Sequence, residues 1–202
     1  MIARLLDRLR REERGATVIE FAMVAPALML VIIGLFDLTY RLYATAILNG
    51  EVQKVARDAT LQMNASTSGQ AALDQRVKDA FRKVNGTVTE ADFEITRRNF
   101  TNFTNAGRME GATGPGGQCA PGFTYVDINN SNSWDDGALA GQGGANDVAL
   151  YTVKVTYKSV FPFNAIYGGA VNQTITATTV LRNQPYTAQN TRVTGPTRDC
   201  AG

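Results

Sequence analysis

The chain has no histidine and only two cysteines among its 202 residues. Without imidazole there can be no Ser–His or Cys–His pair and no histidine metal ligand. Cys119 and Cys200 lie far apart and fit no metal-ligand spacing. In an oxidising compartment they can close one long loop as a disulfide; in the cytosol they would be two idle thiols. A phosphate-binding Gly-Lys-Ser/Thr loop and a Gly-x-Ser-x-Gly elbow are also missing. Only a site built from scattered carboxylates would be left for catalysis. The sequence reads as a non-enzyme with no cofactor, no metal and no catalytic residues. The chain has little excess charge: its formal net +2 is too weak to imply a nucleic-acid partner.

The placement of charge says more than its sum. Arg4, Arg8, Arg10, Arg11 and Arg14 stand against Asp7, Glu12 and Glu13, so the first 15 residues hold the whole net charge. The run that follows, Phe21 to Phe36 (FAMVAPALMLVIIGLF), contains no charged residue. With residues 16–20 it makes a segment of about 21 residues. As a helix this would extend roughly 31 Å, close to the thickness of a bilayer hydrocarbon core. An arginine-rich flank belongs on the cytoplasmic side, which places the N-terminus inside and the bulk of the chain outside. A soluble core helix is a poor alternative, since it would have a polar face. A cleavable secretory signal ending at Ala44-Thr45-Ala46 is another, but Asp37, Tyr40, Arg41 and Tyr43 intervene before that triplet.

Glu20 fits neither a plain span nor a plain signal. A carboxylate in an apolar segment costs about 2.5–3.5 kcal/mol on insertion scales. A new N-terminal amine close by, on the same or a neighbouring subunit, would neutralise it. Cleavage between Gly15 and Ala16 would create that amine and make Glu20 the fifth residue of the mature chain. Glycine before the scissile bond carries no side chain to obstruct a protease. Pro26, inside the apolar run, removes one helix hydrogen bond and favours a kink, which is tolerated in a membrane.

The string Arg14-Gly15-Ala16-Thr17-Val18-Ile19-Glu20-Phe21 resembles the type IV prepilin processing site. The longer string from Arg14 to Ala59 resembles the TadE-like proteins of the tight-adherence (Tad/Flp) pilus system. The resemblance implies a minor pilin or pseudopilin. A prepilin peptidase at the inner membrane would cut after Gly15, with Ala16 as the new N-terminus and Glu20 as the residue that pairs with an N-terminal amine during assembly. Its partners would be the lipid bilayer, the peptidase, other pilins or pseudopilins and the Tad assembly machinery. The mature domain would be periplasmic or part of an extracellular pilus. Tad pseudopilins are often smaller, so the glycine-rich middle of this chain reads as an insertion.

Beyond Phe36 the helix is expected to continue. Tyr40, Tyr43, Ala44, Ile47, Leu48, Val52, Val55, Ala56 and Ala59 recur at spacings of three and four. This stripe reads as the face that packs on the domain, with a subunit contact as the alternative. One helix is expected from Ala16 to Met63, followed by a linker over residues 64–69 and a short helix from Gln70 to Val84. Strands are expected at Phe93–Arg97, Gly122–Asn129, Val148–Phe161 and Thr174–Arg182. In the third, Val153, Val155 and Tyr157 point one way and Thr152, Lys154 and Thr156 the other. The last two strands read as an antiparallel pair around a loop at Pro162–Val171, turning at Gly168-Gly169. Residues 109–118 and 131–146 read as loops. Asp127-Ile128-Asn129-Asn130-Ser131 with Asp135-Asp136 is similar to a calcium loop, but lacks its central glycine and terminal glutamate, and reads as a solvated turn. Asn-x-Ser/Thr triplets at Asn64, Asn85, Asn99, Asn102 and Asn172 read as polar surface.

The expected fold is α+β, a long N-terminal helix, a second helix and a small antiparallel sheet. The expected organisation is a basic leader at 1–15, a transmembrane and amphipathic helix at 16–63, and an outer domain at 64–202. Two alternatives remain: an uncleaved envelope anchor, and a binding domain released after Ala46.

Overall fold

The computed structural model describes residues 14–61, 66–104, 106–160, 171–185 and 195–200. Among the described residues two helices come first, α1 (Arg14–Ala59) and α2 (Thr67–Val84). Six strands follow among them: β1 (Phe93–Phe100), β2 (Thr124–Val126), β3 (Leu139–Ala140), β4 (Val148–Lys158), β5 (Asn172–Arg182) and β6 (Thr197–Asp199). The fold is α+β, with a four-stranded sheet in the order β3-β1-β4-β5 and a separate β2-β6 pair. The chain divides into two compact units. One contains residues 1–43 and 158–173, and the other residues 44–157 and 174–202.

In the larger unit, α1 contributes Ala44, Leu48, Val52, Val55, Ala56 and Ala59, all buried. These are the three- and four-residue spacings of one helix face. The expected stripe is therefore domain core from Ala44 onward, whereas Tyr43 is exposed. The helix ends at Ala59, short of the expected Met63, which lies outside the described residues.

The second helix begins three residues earlier than periodicity alone suggests. Ser66 is its N-cap, and its hydroxyl accepts from the Gly69 N–H at 3.1 Å. Serine satisfies one of the four free N–H groups of the first turn, so part of the expected linker is helix. Arg82 and Lys83 sit in the last turn, where cations favour the helix dipole. Lys78 and Arg82 both bond Glu90 and hold its carboxyl down to about 2. Leu73, Val77 and Phe81 form the buried face. The Phe81 ring meets Phe93 edge-on at 6.0 Å and Tyr157 at 5.9 Å, which seats α2 on β1 and β4.

A polar clamp fixes the same contact. Asp74 of α2 accepts from the Tyr151 hydroxyl at 2.7 Å and from Arg97 Nη1 at 2.8 Å, while the Arg97 guanidinium lies 4.5 Å from the Tyr151 ring centre. Burial, then the bond to Asp74, pushes the Tyr151 hydroxyl well above its ordinary pKa. Three groups that would each be costly to bury alone thus satisfy one another.

In the sheet, β1 pairs antiparallel with β4 from Phe93↔Val155 to Phe100↔Val148. The alternation expected in β4 is present: Val153, Val155 and Tyr157 are buried, Lys154 is exposed, and Thr152 and Thr156 are half-buried. Thr152 faces Thr178 and Thr156 faces Thr174 across β5, which sets an antiparallel hairpin. The expected turn at Gly168-Gly169 lies outside the described residues.

The excursion from 101 to 147 carries β2 inside the strand expected at Gly122–Asn129, and β3 inside the expected loop at 131–146. The latter pairs β1 through Arg98↔Ala140 and Asn99↔Leu139. Asn85 and Asn99, expected at the surface, are buried. The Asn99 amide donates to the carbonyls of Leu139, Ala140 and Gly141 at 3.0–3.2 Å, and Asn85 Oδ1 accepts from the Thr87 hydroxyl at 2.7 Å. Their short side chains complete backbone bonding that no strand ladder supplies. Gly143 has φ +79°, and a Cβ there would sit 2.8 Å from Asn99 Cβ; only glycine fits this bend.

Phe81 of α2 touches rings of both β1 and β4. Phe81→Ala should lower unfolding stability by about 3–5 kcal/mol. Denaturant unfolding of the full-length protein followed by circular dichroism would measure it. A loss below about 1 kcal/mol would show that this ring is not central.

Candidate membrane-anchoring segment and the C-terminal clasp

The first half of α1 holds every residue singled out for processing and assembly. Arg14 opens the helix, and Gly15 and Ala16 lie in its first turn. Open space surrounds Gly15, since a Cβ built there would meet nothing within 4 Å. Glu20 follows one turn on and is exposed; among the described residues no cation pairs with it. The helix runs through Pro26, which leaves the Ala22 carbonyl without its usual donor.

The surroundings of Glu20 are apolar on every side. Val18, Ile19, Phe21, Met23 and Val24 are each more than 60% exposed, and Leu28, Met29, Val31, Leu35 and Phe36 are also open. A soluble helix would turn such residues toward a core. Here the segment is long and apolar enough to cross a membrane, and its most apolar stretch is not buried against protein. Further along, Asp37 accepts a hydrogen bond from the Ser159 hydroxyl within the smaller unit. Residues 15–59 match the family model described as TadE-like protein. Over this segment the chain is TadE-like. No curated protein and no solved structure matches the chain. The TadE-like match covers 45 of the 202 residues, and the apolar helix within it is long enough to cross a membrane.

The TadE-like match ends where α1 ends, and the domain beyond it closes with a second feature. Cys119 and Cys200, 81 positions apart in sequence, are joined by a disulfide with Cα atoms 5.5 Å apart. Beside it, β6 pairs β2 through Thr124↔Asp199, Tyr125↔Arg198 and Val126↔Thr197. The Cys200 N–H donates to the Phe123 carbonyl at 2.9 Å, and the Asp127 N–H to Pro196 at 3.1 Å. Gly195 passes so close that a Cβ would sit 1.3 Å from the Asp127 carbonyl oxygen. Any side chain there would force the strap off the sheet.

Asp127 corrects one expectation. It is fully buried, not part of a solvated turn. Its carboxylate accepts from the Ser131 and Asn132 N–H groups at 2.9 and 3.0 Å and from Arg198 Nε. Burial pushes this carboxyl up, but the Asn132 N–H, Arg198 and the Ser131 N–H together outweigh it and leave the carboxyl below its usual range. The carboxylate serves as an anchor for the turn and for the C-terminal strand. Arg198, Gly195 and β6 carried no sequence signal, because three residues are too few to show alternation. The nearby Cys200 was the one hint that this end is tied down.

A chain-entropy treatment of this long loop gives up to about 4.5 kcal/mol for the crosslink. Replacing both cysteines by serine should cost about 2–4 kcal/mol of unfolding stability. Denaturation of the double variant beside the oxidised protein measures the loss. Equal midpoints would mean that the clasp holds without its bond.

Proposed function

We propose that this chain is a minor pilin or pseudopilin of a Tad/Flp pilus, made as a precursor and cut between Gly15 and Ala16. The observation that carries the reading is the position of the TadE-like match. It starts at Gly15, includes Glu20, and covers the helix whose apolar side chains are open to their surroundings. Residues 1–15 act as a basic cytoplasmic leader, residues 16–63, which include α1, as anchor and stalk, and residues 64–202 as the outer domain. The span inserts in the inner membrane with its arginine flank inside. The Cys119–Cys200 bond suits an oxidising compartment, which supports a periplasmic or extracellular position for that domain.

The mechanism follows from charge. In a single span Glu20 is an expensive carboxylate with hydrocarbon around it. Cutting after Gly15 creates an ammonium one helical turn away at Ala16. When helices pack, that amine on the same or a neighbouring subunit neutralises Glu20, so only subunits in the correct axial register escape the desolvation penalty. A kink at Pro26 would let the helices follow one another around a filament. The lipid bilayer, a prepilin peptidase, neighbouring pilins or pseudopilins and the Tad assembly machinery are the partners this requires. Release after Ala46 is less well supported, because Ala44 is buried and the cut would sever α1 within its core-forming half.

Mass spectrometry of the mature protein from its native membranes should find Ala16 at the N-terminus. A chain beginning at Met1 would indicate an uncleaved anchor, and one beginning at Ile47 a released domain; either would overturn the proposal. Gly15→Ile should abolish processing without disturbing the fold, given the open space around that position. A mature mass equal to wild type would refute the cleavage site. Glu20→Ala should insert and be cut normally but fail to assemble into pili. Normal pilus yield from that variant would remove Glu20 from the mechanism.

A further inference from the structure

Among the described residues the four-stranded sheet leaves one long edge open. β5 is the last strand in the order β3-β1-β4-β5, and among the described residues no strand lies on its outer side. The Asn183 N–H donates to the Asp147 carbonyl at 2.9 Å. Thr152 and Thr178, and likewise Thr156 and Thr174, bring their hydroxyl oxygens within 3.2 Å. These pairs share one antiparallel register. In it the odd-numbered residues of β5 exchange bonds with β4, and the even-numbered ones turn their N–H and C=O groups away. Thr174, Thr176, Thr178 and Val180 therefore present backbone donors and acceptors along the edge, and all four are exposed.

Among the described residues nothing blunts this edge. From Thr174 to Leu181 the strand has no charge, no proline and no glycine. Edge strands are normally protected by lysine, proline, a bulge or extreme shortness, because a row of free backbone groups is a template for another strand. The opposite edge follows that rule, since β3 has only two residues.

We propose that β5 is an interface on which a second copy of this chain docks by strand addition, antiparallel, about a two-fold axis at Thr176. The strand is complementary to itself in this register. On the exposed face Thr176 meets the partner's Thr176 and Thr174 meets the partner's Thr178. On the inner face Ile175 meets the partner's Ala177. The hydroxyl row that links Thr156 to Thr174 then runs on into the partner's Thr178 and the partner's Thr152. An uncharged strand suffers no like-charge penalty against its own copy. A two-fold contact consumes the free edge of both copies, so it closes at two. This interface is independent of leader cleavage and of Glu20.

Thr176→Cys in the full-length protein tests it, oxidised in native membranes and in detergent micelles and read on a non-reducing gel. Directly opposed residues of a hydrogen-bonded antiparallel pair have Cα atoms about 5.5 Å apart, within disulfide range. A covalent dimer is expected from Thr176→Cys. None is expected from Lys154→Cys, which lies on the same sheet face one strand inward. Adding Thr178→Pro removes an outward N–H without touching the β4 ladder, and should cut the dimer yield about tenfold. No dimer from Thr176→Cys, with the Cys119–Cys200 bond intact by peptide mapping, would overturn the proposal. So would equal crosslinking at Lys154→Cys, or a yield indifferent to Thr178→Pro; both would point to association through the apolar helix alone.

Discussion

Apolar surface that its own chain cannot cover has to find another cover, and the first half of α1 carries enough of it to reach across a bilayer. The rest of the molecule is arranged around that constraint. The apolar residues from Val18 to Phe36 surround the helix, so no single protein face could bury them all. From Ala44 onward the same helix changes character, with one face buried and the others polar. One element thus serves as anchor and as core helix. Where its pattern changes from all-round apolar to one-sided, it passes from one role to the other.

Within this setting Glu20 is the residue out of place, and a residue out of place is informative when its cost is large. A carboxylate among Val18, Ile19, Phe21 and Val24 is hard to explain by packing. The cut proposed between Gly15 and Ala16 would supply a positive group that gives it a purpose, and would link the chemistry of proteolysis to the geometry of assembly. The domain beyond the helix shows a different economy. Its polar anchors, Asp74 with Arg97 and Tyr151, and Asp127 with Arg198, pair at close range. The first holds α2 to the four-stranded sheet beside the Phe81 contacts, and the second holds the C-terminal strand to the turn after β2.

The glycine-rich middle is also more ordered than its composition implies. Trp134 donates to the Glu110 carbonyl at 2.9 Å, and the buried Glu110 carboxylate accepts from the Ile128 N–H at 2.6 Å. Burial pushes that carboxyl above its usual range. Segments lacking hydrophobic periodicity are here held by side-chain-to-backbone bonds. Such bonds leave no mark that a search for alternation can detect.

What the sequence determined by itself was local and periodic. The apolar run with its basic flank, the acid at Glu20 after Gly15, the 3.6-residue stripe of α1, the α2 face at Leu73, Val77 and Phe81, and the alternation of β4 and β5 are all visible in residue order, because each depends on neighbours a few positions away. Tertiary structure alone decided the rest. It placed β1 beside β4 across some 50 intervening residues, made Ser66 a cap, buried Asn99 and Asp127, and brought the three residues of β6 onto β2 next to the Cys119–Cys200 bond. Those outcomes depend on partners distant in sequence, whose pairing is selected by the burial and hydrogen-bond satisfaction of the whole domain and not by any local pattern.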